Sequence, residues 1–204
     1  MSAVHPLGPS LQRPKPALPG HLEAEETRDA ARLSWRWLRA DHLRMGAVGV
    51  LWNTILAIVC VKALTRPEPS PAELVFMLPH LGVGLWLLYF SLAGVLNRTT
   101  IDVSRERLSI RHGPLPWPGE RDLELPGNCL KQLYGEAWRR SQFLFQRAGT
   151  VYDLKALDAD GHEVELLSGI EDRSQVLYLE LALERQLGIE DAPVEGELAT
   201  RIPA

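Results

Sequence analysis

The chain predicts an α+β membrane protein: a two-helix transmembrane hairpin, followed by a domain of six or seven antiparallel strands that one C-terminal amphipathic helix closes. Three observations carry this. Residues 46–61 and 74–96 are free of charge; beyond Leu96 the apolar period drops from helical to two; and one helical stripe returns near the C-terminus. The 204 residues carry a net charge of −4, and their near-zero mean hydropathy averages a greasy block with polar flanks. That acidic balance argues against nucleic acid as a partner, because such binders usually carry a basic domain.

Residues 1–20 hold Pro6, Pro9, Pro14, Pro16 and Pro19 with almost no apolar periodicity, and are expected to be a disordered tail. Residues 191–204 read alike. Residues 21–45 read as a juxtamembrane helix: Glu23, Glu25 and Glu26 gather at its start and arginines toward its end, matching the macrodipole. Leu33, Trp37 and Ala40 stack at helical spacing. Two placements stay open, a helix lying on anionic lipid through Arg36, Arg39 and Arg44 or a cytoplasmic extension of the next helix.

Residues 46–64 form the first span if Lys62 snorkels; at 1.5 Å per residue this is roughly 28 Å. Residues 65–73, a proline-rich turn, lead to the second span at 74–96. Arg32, Arg36, Arg39 and Arg44 precede the pair and Arg98, Arg105, Arg107 and Arg111 follow it, whereas the turn side has only Lys62 and Arg66. The excess of basic residues places both termini in the cytoplasm and the chain as a multi-pass protein of a cell's inner (plasma) membrane. Inside the hairpin, Asn53 and Ser91 share a depth and are expected to hydrogen-bond. His80 follows Pro79, where a kink is expected, and reads as structural. The sequon Asn97-Arg98-Thr99 abuts the membrane and reads as accidental.

Residues 97–190 form the soluble domain. Residues 99–103 alternate, 108–111 resume after a Ser104-Arg105-Glu106-Arg107 turn, and 121–125, 129–138 and 142–146 are further strand candidates. Residues 151–157 and 163–167 make a hairpin through Asp160-Gly161, a type I′ signal. A helix then runs from a cap at Asp172, with Gln175 completing a capping box, to Gly188. Val176, Leu179, Leu183 and Leu187 form its apolar face, with Glu180, Glu184 and Arg185 outside it.

The order of these elements, together with Asn97-Arg98-Thr99, the string 108–119 ending Gly113-Pro114-Leu115-Pro116-Trp117-Pro118-Gly119, and Leu166-Leu167-Ser168-Gly169 before a helix, resembles uncharacterised bacterial membrane proteins with a pleckstrin-homology-like (PH-like) domain, over roughly residues 46–190. The resemblance implies a membrane-tethered binding or scaffolding module and no reaction.

Candidate sites follow. The 113–119 loop, stiffened by Pro114, Pro116 and Pro118, carries Trp117, which either docks a partner or folds back as a lid. Trp138, Arg139 and Arg140 form a basic and aromatic patch, a partner surface or merely a strand end. Arg105 and Arg107 sit where related folds bind lipid headgroups, yet residues 97–190 hold twelve Lys and Arg against sixteen Asp and Glu, which opposes an anionic surface. Asp158-Ala159-Asp160-Gly161 lacks the further ligands of a calcium loop. Cys60 and Cys129 have no metal spacing, and His112 and His162 read as surface residues. No catalytic residue, metal or cofactor is expected. The partners expected are the lipid bilayer and a membrane or cytoplasmic protein, with a second copy of the chain as a further option. The functional expectation is a non-enzymatic anchored module. The alternatives are an auxiliary subunit of a transport or envelope-stress complex and an anionic-lipid sensor.

Overall fold

A computed structural model describes residues 16–68, 70–141, 148–190 and 198, with Leu74 described in its backbone alone. Most of both expected tails and the strand expected at 142–146 lie outside the described residues. The order is β1 (Leu22–Glu26), β2 (Ala30–Arg36), α1 (Ala40–Leu64), α2 (Pro71–Leu96), β3 (Arg98–Ser104), β4 (Arg107–Gly113), β5 (Leu123–Pro126), a 3-10 turn at Gly127–Cys129, β6 (Leu130–Arg140), β7 (Gly149–Asp158), β8 (Glu163–Ile170) and α3 (Arg173–Leu187). The strands form two antiparallel sheets, β1-β2-β3-β4-β5 and β6-β7-β8.

The expected juxtamembrane helix is not formed. Residues 22–36 are two strands instead, and α1 begins only at Ala40. The alternation Ala31, Leu33, Trp35 decides it: Ala31 and Leu33 are buried opposite Val103 and Ile101 of β3. The charges that suggested a helix dipole pair across elements, Arg32 with Asp102 at 2.6 Å and Arg98 with Glu23 at 3.2 Å. The residues between the strands turn through Thr27, whose N–H and hydroxyl both donate to the Ala30 carbonyl at 2.8 Å. Cross-strand burial here overrides helix propensity.

The domain is therefore assembled from both sides of the hairpin rather than from residues 97–190 alone. Its core joins Leu22 and Leu33 to Ile101, Leu108, Ile110, Leu133, Leu154, Val176, Leu179 and Leu183. α3 is capped by Asp172, which accepts the Ser174 N–H at 2.8 Å, and ends at Gly188 with φ 72°, a left-handed turn that suits glycine. The capping box stays half-formed, since the Gln175 side chain bonds His21. Glu180 and Glu184, expected outside the apolar face, are buried. Between β7 and β8, Asp158 Oδ1 accepts the N–H groups of Asp160 and His162, both at 2.8 Å, and only Gly161 takes a positive φ, 83°. The loop is thus a three-residue one with glycine in the left-handed position rather than a two-residue type I′ turn.

α1 and α2 are each long and apolar enough to cross a membrane, and their outer faces are bare: Val75 and Phe76 are 65% and 69% exposed. They meet along small residues. A Cβ at Gly49 would lie 3.1 Å from Leu87 Cβ, one at Gly84 would lie 2.5 Å from Asn53 Oδ1, and Gly46 faces Ser91. In an antiparallel pair Asn53 is thereby carried past Ser91 to Gly84, and its Nδ2 donates to the Gly49 carbonyl at 2.7 Å, so the expected Asn53–Ser91 bond is not made. α2 runs through Pro79 without interruption. Trp52 of α1 donates to the His80 carbonyl at 2.9 Å and stacks on its ring at 5.9 Å.

Candidate functional site

The hairpin emerges from between two neighbouring strands. β2 and β3 pair as far as Arg36 opposite Arg98, and the Trp37 N–H donates to the Asn97 carbonyl at 3.1 Å. Asn97 is fully buried. Its N–H closes the last turn of α2 on Ala93 O at 2.8 Å, its Nδ2 donates to Leu115 O at 2.8 Å, and its Oδ1 accepts the Leu115 N–H at 2.7 Å. One side chain thus ties the end of α2 to the 113–119 loop, while the adjoining carbonyl holds the entry to α1. Burial of this carboxamide also agrees with reading the sequon as accidental.

That clamp folds the proline loop back onto α2. The Trp117 ring lies parallel to Tyr89 at 6.2 Å, tilted against Phe90 at 5.7 Å and edge-on to Trp37 at 6.3 Å, and the Tyr89 hydroxyl donates to the Pro116 carbonyl. Trp117 is neither a free tip nor a lid on the sheet; it braces the domain against the hairpin. Pro114, Pro116 and Pro118 are exposed around it, and the Gly113–Pro114 bond is cis.

Between this brace and the second sheet opens a cleft of about 730 Å³. One wall is aromatic, with Trp35, Trp37, Phe90 and Trp117; the other is polar, with Arg39, Arg140, Glu171 and Gln175. Arg39 and Arg140 converge on Glu171, the latter at 3.4 Å, so the start of α1, the end of β6 and the approach to α3 share one carboxylate. A hydrogen-bond chain runs along the base. Trp37 Nε1 donates to Thr99 Oγ1 at 2.8 Å, and Thr99 Oγ1 lies 3.1 Å from His112 Nδ1. The indole can only donate, so it occupies one lone pair of the Thr99 hydroxyl, whose proton or second lone pair meets Nδ1 according to the imidazole tautomer. His112 Nε2 lies 3.6 Å from Glu120 Oε2. Burial holds His112 below its ordinary value against the pull of Asp122; burial, with the charge of Glu165, raises Glu120. Both shifts weaken the charged forms, which makes the pair a polar contact rather than a fixed ion pair. Two buried polar atoms at the cleft, His42 Nδ1 and Gln175 Nε2, have no hydrogen-bond partner among the described residues.

The other expected site residues divide between the two ends of the sheet. Arg36, Arg39 and Arg44 lie at the hairpin end, Arg39 paired with Glu171 and Arg44 with Asp41 at 3.2 Å. Arg105 and Arg107 lie at the opposite end, beyond the Ala30–Ser104 pair, about 20 Å along the strand at roughly 3.3 Å per residue; Arg107 is paired with Glu124 at 2.9 Å. They cannot join the hairpin-end arginines on one lipid surface. Trp138 and Arg139 are exposed on β6, while Arg140 turns to Glu171 and to Gly169 O at 3.3 Å, so the expected patch is split. His112 is not a surface residue: its side chain is only 7% exposed. His162 is exposed, and with Asp158 and Asp160 it brings potential ligand atoms within 4.8 Å of one another, but Asp158 Oδ1 is already engaged by two backbone N–H groups. Sequence reasoning missed Asn97, Thr99, Glu120, Glu171 and Gln175. Of these only Asn97 carried a signal, a polar residue at the junction of a helix and a strand.

No protein-family model and no curated protein sequence matches the chain.

Proposed function

We propose that this protein is a non-enzymatic, membrane-anchored binding and scaffolding module. In it a PH-like domain, two antiparallel sheets closed by α3, is held at a fixed attitude to the bilayer and takes a partner protein in the cleft at the hairpin base. The observation that carries the reading is the insertion of the hairpin between β2 and β3, with Asn97 and Trp117 bracing it. A tethered enzyme or a loosely attached domain needs no such rigidity, whereas a platform that presents a surface at set height and angle does. The bare apolar faces of α1 and α2 support insertion in lipid. The ring of Trp37, Tyr89 and Trp117 falls where interfacial aromatics collect. The arginines at the sheet end of the hairpin support cytoplasmic termini in a bacterial inner membrane.

The test is photo-crosslinking in native membranes with a benzophenone amino acid at Ser168, on the cleft, and at Glu106, in the distal β3–β4 turn. A discrete adduct from Ser168 and none from Glu106 is expected; no adduct at Ser168, or the same adducts at both, overturns the cleft as the partner site. A reporter fused after Ala204 and active only outside the cytoplasm should stay silent, and activity there reverses the orientation.

A further inference from the structure

Two buried polar atoms at the juxtamembrane cleft are left unmet by the ion pairs and hydrogen bonds around them. Gln175, 5% exposed, is in the first turn of α3. Its Oε1 lies 2.9 Å from His21 Nε2, and its Nε2 has no partner among the described residues. Turning the carboxamide over exchanges the two ends without pairing both, and a buried polar group left unpaired weakens a fold. His42 Nδ1, in the first turn of α1, is the second such atom. A Cβ at Gly94 would overlap the His42 ring, so it is a glycine that lets the imidazole lie against α2, 4.8 Å from Phe90. Both residues line the same cleft of about 730 Å³, a size that suits a small-molecule site.

The rest of the lining restricts what would meet them. Leu38 lines the cleft and is exposed, as are Leu43 and Leu92, next in sequence to the cleft residues His42 and Ala93. Bare aliphatic surface of the hairpin thus reaches the cleft. Arg36, Arg39 and Arg140 stand against Asp41, Glu120, Glu171 and Asp172, a balance that does not draw a net anion. Glu171 takes Arg39 and Arg140, and Asp41 takes Arg44, whereas Arg36 is exposed and makes no ion pair among the described residues. Trp35 and Trp37 add aromatic rings, whose faces attract an onium group. We propose that the cleft is a binding site for the head of a zwitterionic phospholipid from the leaflet around the hairpin. A phosphodiester oxygen accepts from Gln175 Nε2 and Arg36, the ammonium meets the tryptophan wall, and His42, on the membrane side of these, reaches an ester carbonyl. The acyl chains leave over Leu38. The proposal rests on the insertion of the hairpin in lipid proposed above and gives the cleft a second occupant beside the partner protein.

The test is native mass spectrometry of the full, delipidated chain in detergent micelles. Didecanoyl-phosphatidylethanolamine, didecanoyl-phosphatidylglycerol, didecanoylglycerol and inorganic phosphate are offered one at a time. The ethanolamine lipid should bind saturably, one per chain, and more tightly than the glycerol lipid; didecanoylglycerol and phosphate should not bind. Gln175→Leu should weaken that binding about tenfold, the share of one hydrogen bond to a charged group. It should also melt close to wild type, because an apolar group of similar size in place of an unmet buried amide is nearly neutral. Gln175→Glu, the same size but repelling a phosphodiester, replaces it where Gln175→Leu gives no cooperative melt. Arg107→Gln, at the far end of the sheet, should bind as wild type. Equal binding of the two phospholipids, binding of didecanoylglycerol or phosphate, or equal affinities in folded Gln175 variants and Arg107→Gln each overturn the proposal. Alkaline carbonate that frees the chain from membranes without detergent overturns the insertion itself, whereas a chain that needs detergent yet binds no lipid overturns this site alone.

Discussion

Expressed alone, residues 97–190 should fail to fold, whereas residues 16–37 joined to 97–190 by a two-residue Asn-Gly turn should give a folded, water-soluble domain. The reasoning rests on β2. Its Ala31 and Leu33 face Val103 and Ile101 across the ladder, and Leu33 and Ile101 are both at 0% exposure and Val103 at 2%. Removing β1 and β2 takes the cover from Ile101 and Val103, which costs roughly 3–6 kcal/mol at 1.5–3 kcal/mol per side chain, against the about 5–15 kcal/mol that holds a domain together. It also bares β3 as an edge, an invitation to aggregate. The bridged version loses none of this, because Arg36 and Arg98 are register partners and the Trp37 N–H already reaches Asn97 O at 3.1 Å, so a tight turn closes the gap. Size-exclusion chromatography and thermal melts by circular dichroism read the outcome. A monomeric 97–190 fragment melting cooperatively within a few degrees of the bridged domain would refute the assignment of residues 22–36 to the sheet.

Three further outcomes follow from particular contacts. In the full chain, Leu33→Ala should lower stability in denaturant titration by about 2–5 kcal/mol, the usual cost of a buried leucine; no change is the result a surface-lying helix at 21–45 would give. Asn97→Ala removes both bonds to the Leu115 main chain and should cost about 2 kcal/mol, open the 113–119 loop to protease and red-shift tryptophan emission; an unaltered digest counts against the clamp. Burial keeps His112 below its ordinary 6.5 despite Asp122, so its contribution is complete above that pH and is lost as pH falls below it, where the unfolded chain takes up the proton first. Melting temperature between pH 7 and 5 should therefore fall less steeply in His112→Gln than in wild type, and parallel slopes would show that His112 is not the group involved.

The parts of the fold legible in the sequence are those whose burial pattern is set within one element. The apolar runs of α1 and α2, the alternation of β3, β4 and β7 and the stripe Val176, Leu179, Leu183, Leu187 each announce their own partner face. β1 and β2 do not, because Glu23-Ala24-Glu25-Glu26 and Ala30-Ala31-Arg32-Leu33 are helix-forming residues, and the Thr27-Arg28-Asp29 turn has neither glycine nor proline. Only β3, which follows the hairpin, converts them to strand. Glu180 and Glu184 mislead for a related reason: the helical wheel gives one buried face, but β6 covers α3 on a second side, where Glu180 meets Gly135. In the cleft, Trp117 was legible as a residue with something to bind; its position was not, since Tyr89, Phe90 and Trp37 come from segments that the apolar hairpin separates from the loop.

That separation explains why the insertion costs the sheet so little. Neighbouring antiparallel strands lie about 4.8 Å apart and packed helices about 8–10 Å apart, so two helices can continue two adjacent strands after a short splay. Here Trp37, Leu38 and Arg39 supply the splay on one side and Asn97 alone on the other. For the sheet, the hairpin is one long connection between β2 and β3, and the entropy of closing a connection grows only slowly with its length. For the hairpin, the sheet replaces a flexible tether by paired strands. An insertion at a strand end away from a hydrogen-bonded neighbour would leave one helix without that guide. The burial of Asn97 and the stacking of Trp117 on Tyr89 add two further contacts at the joint, next to β2 and β3, which line the cleft through Trp35, Arg36 and Thr99.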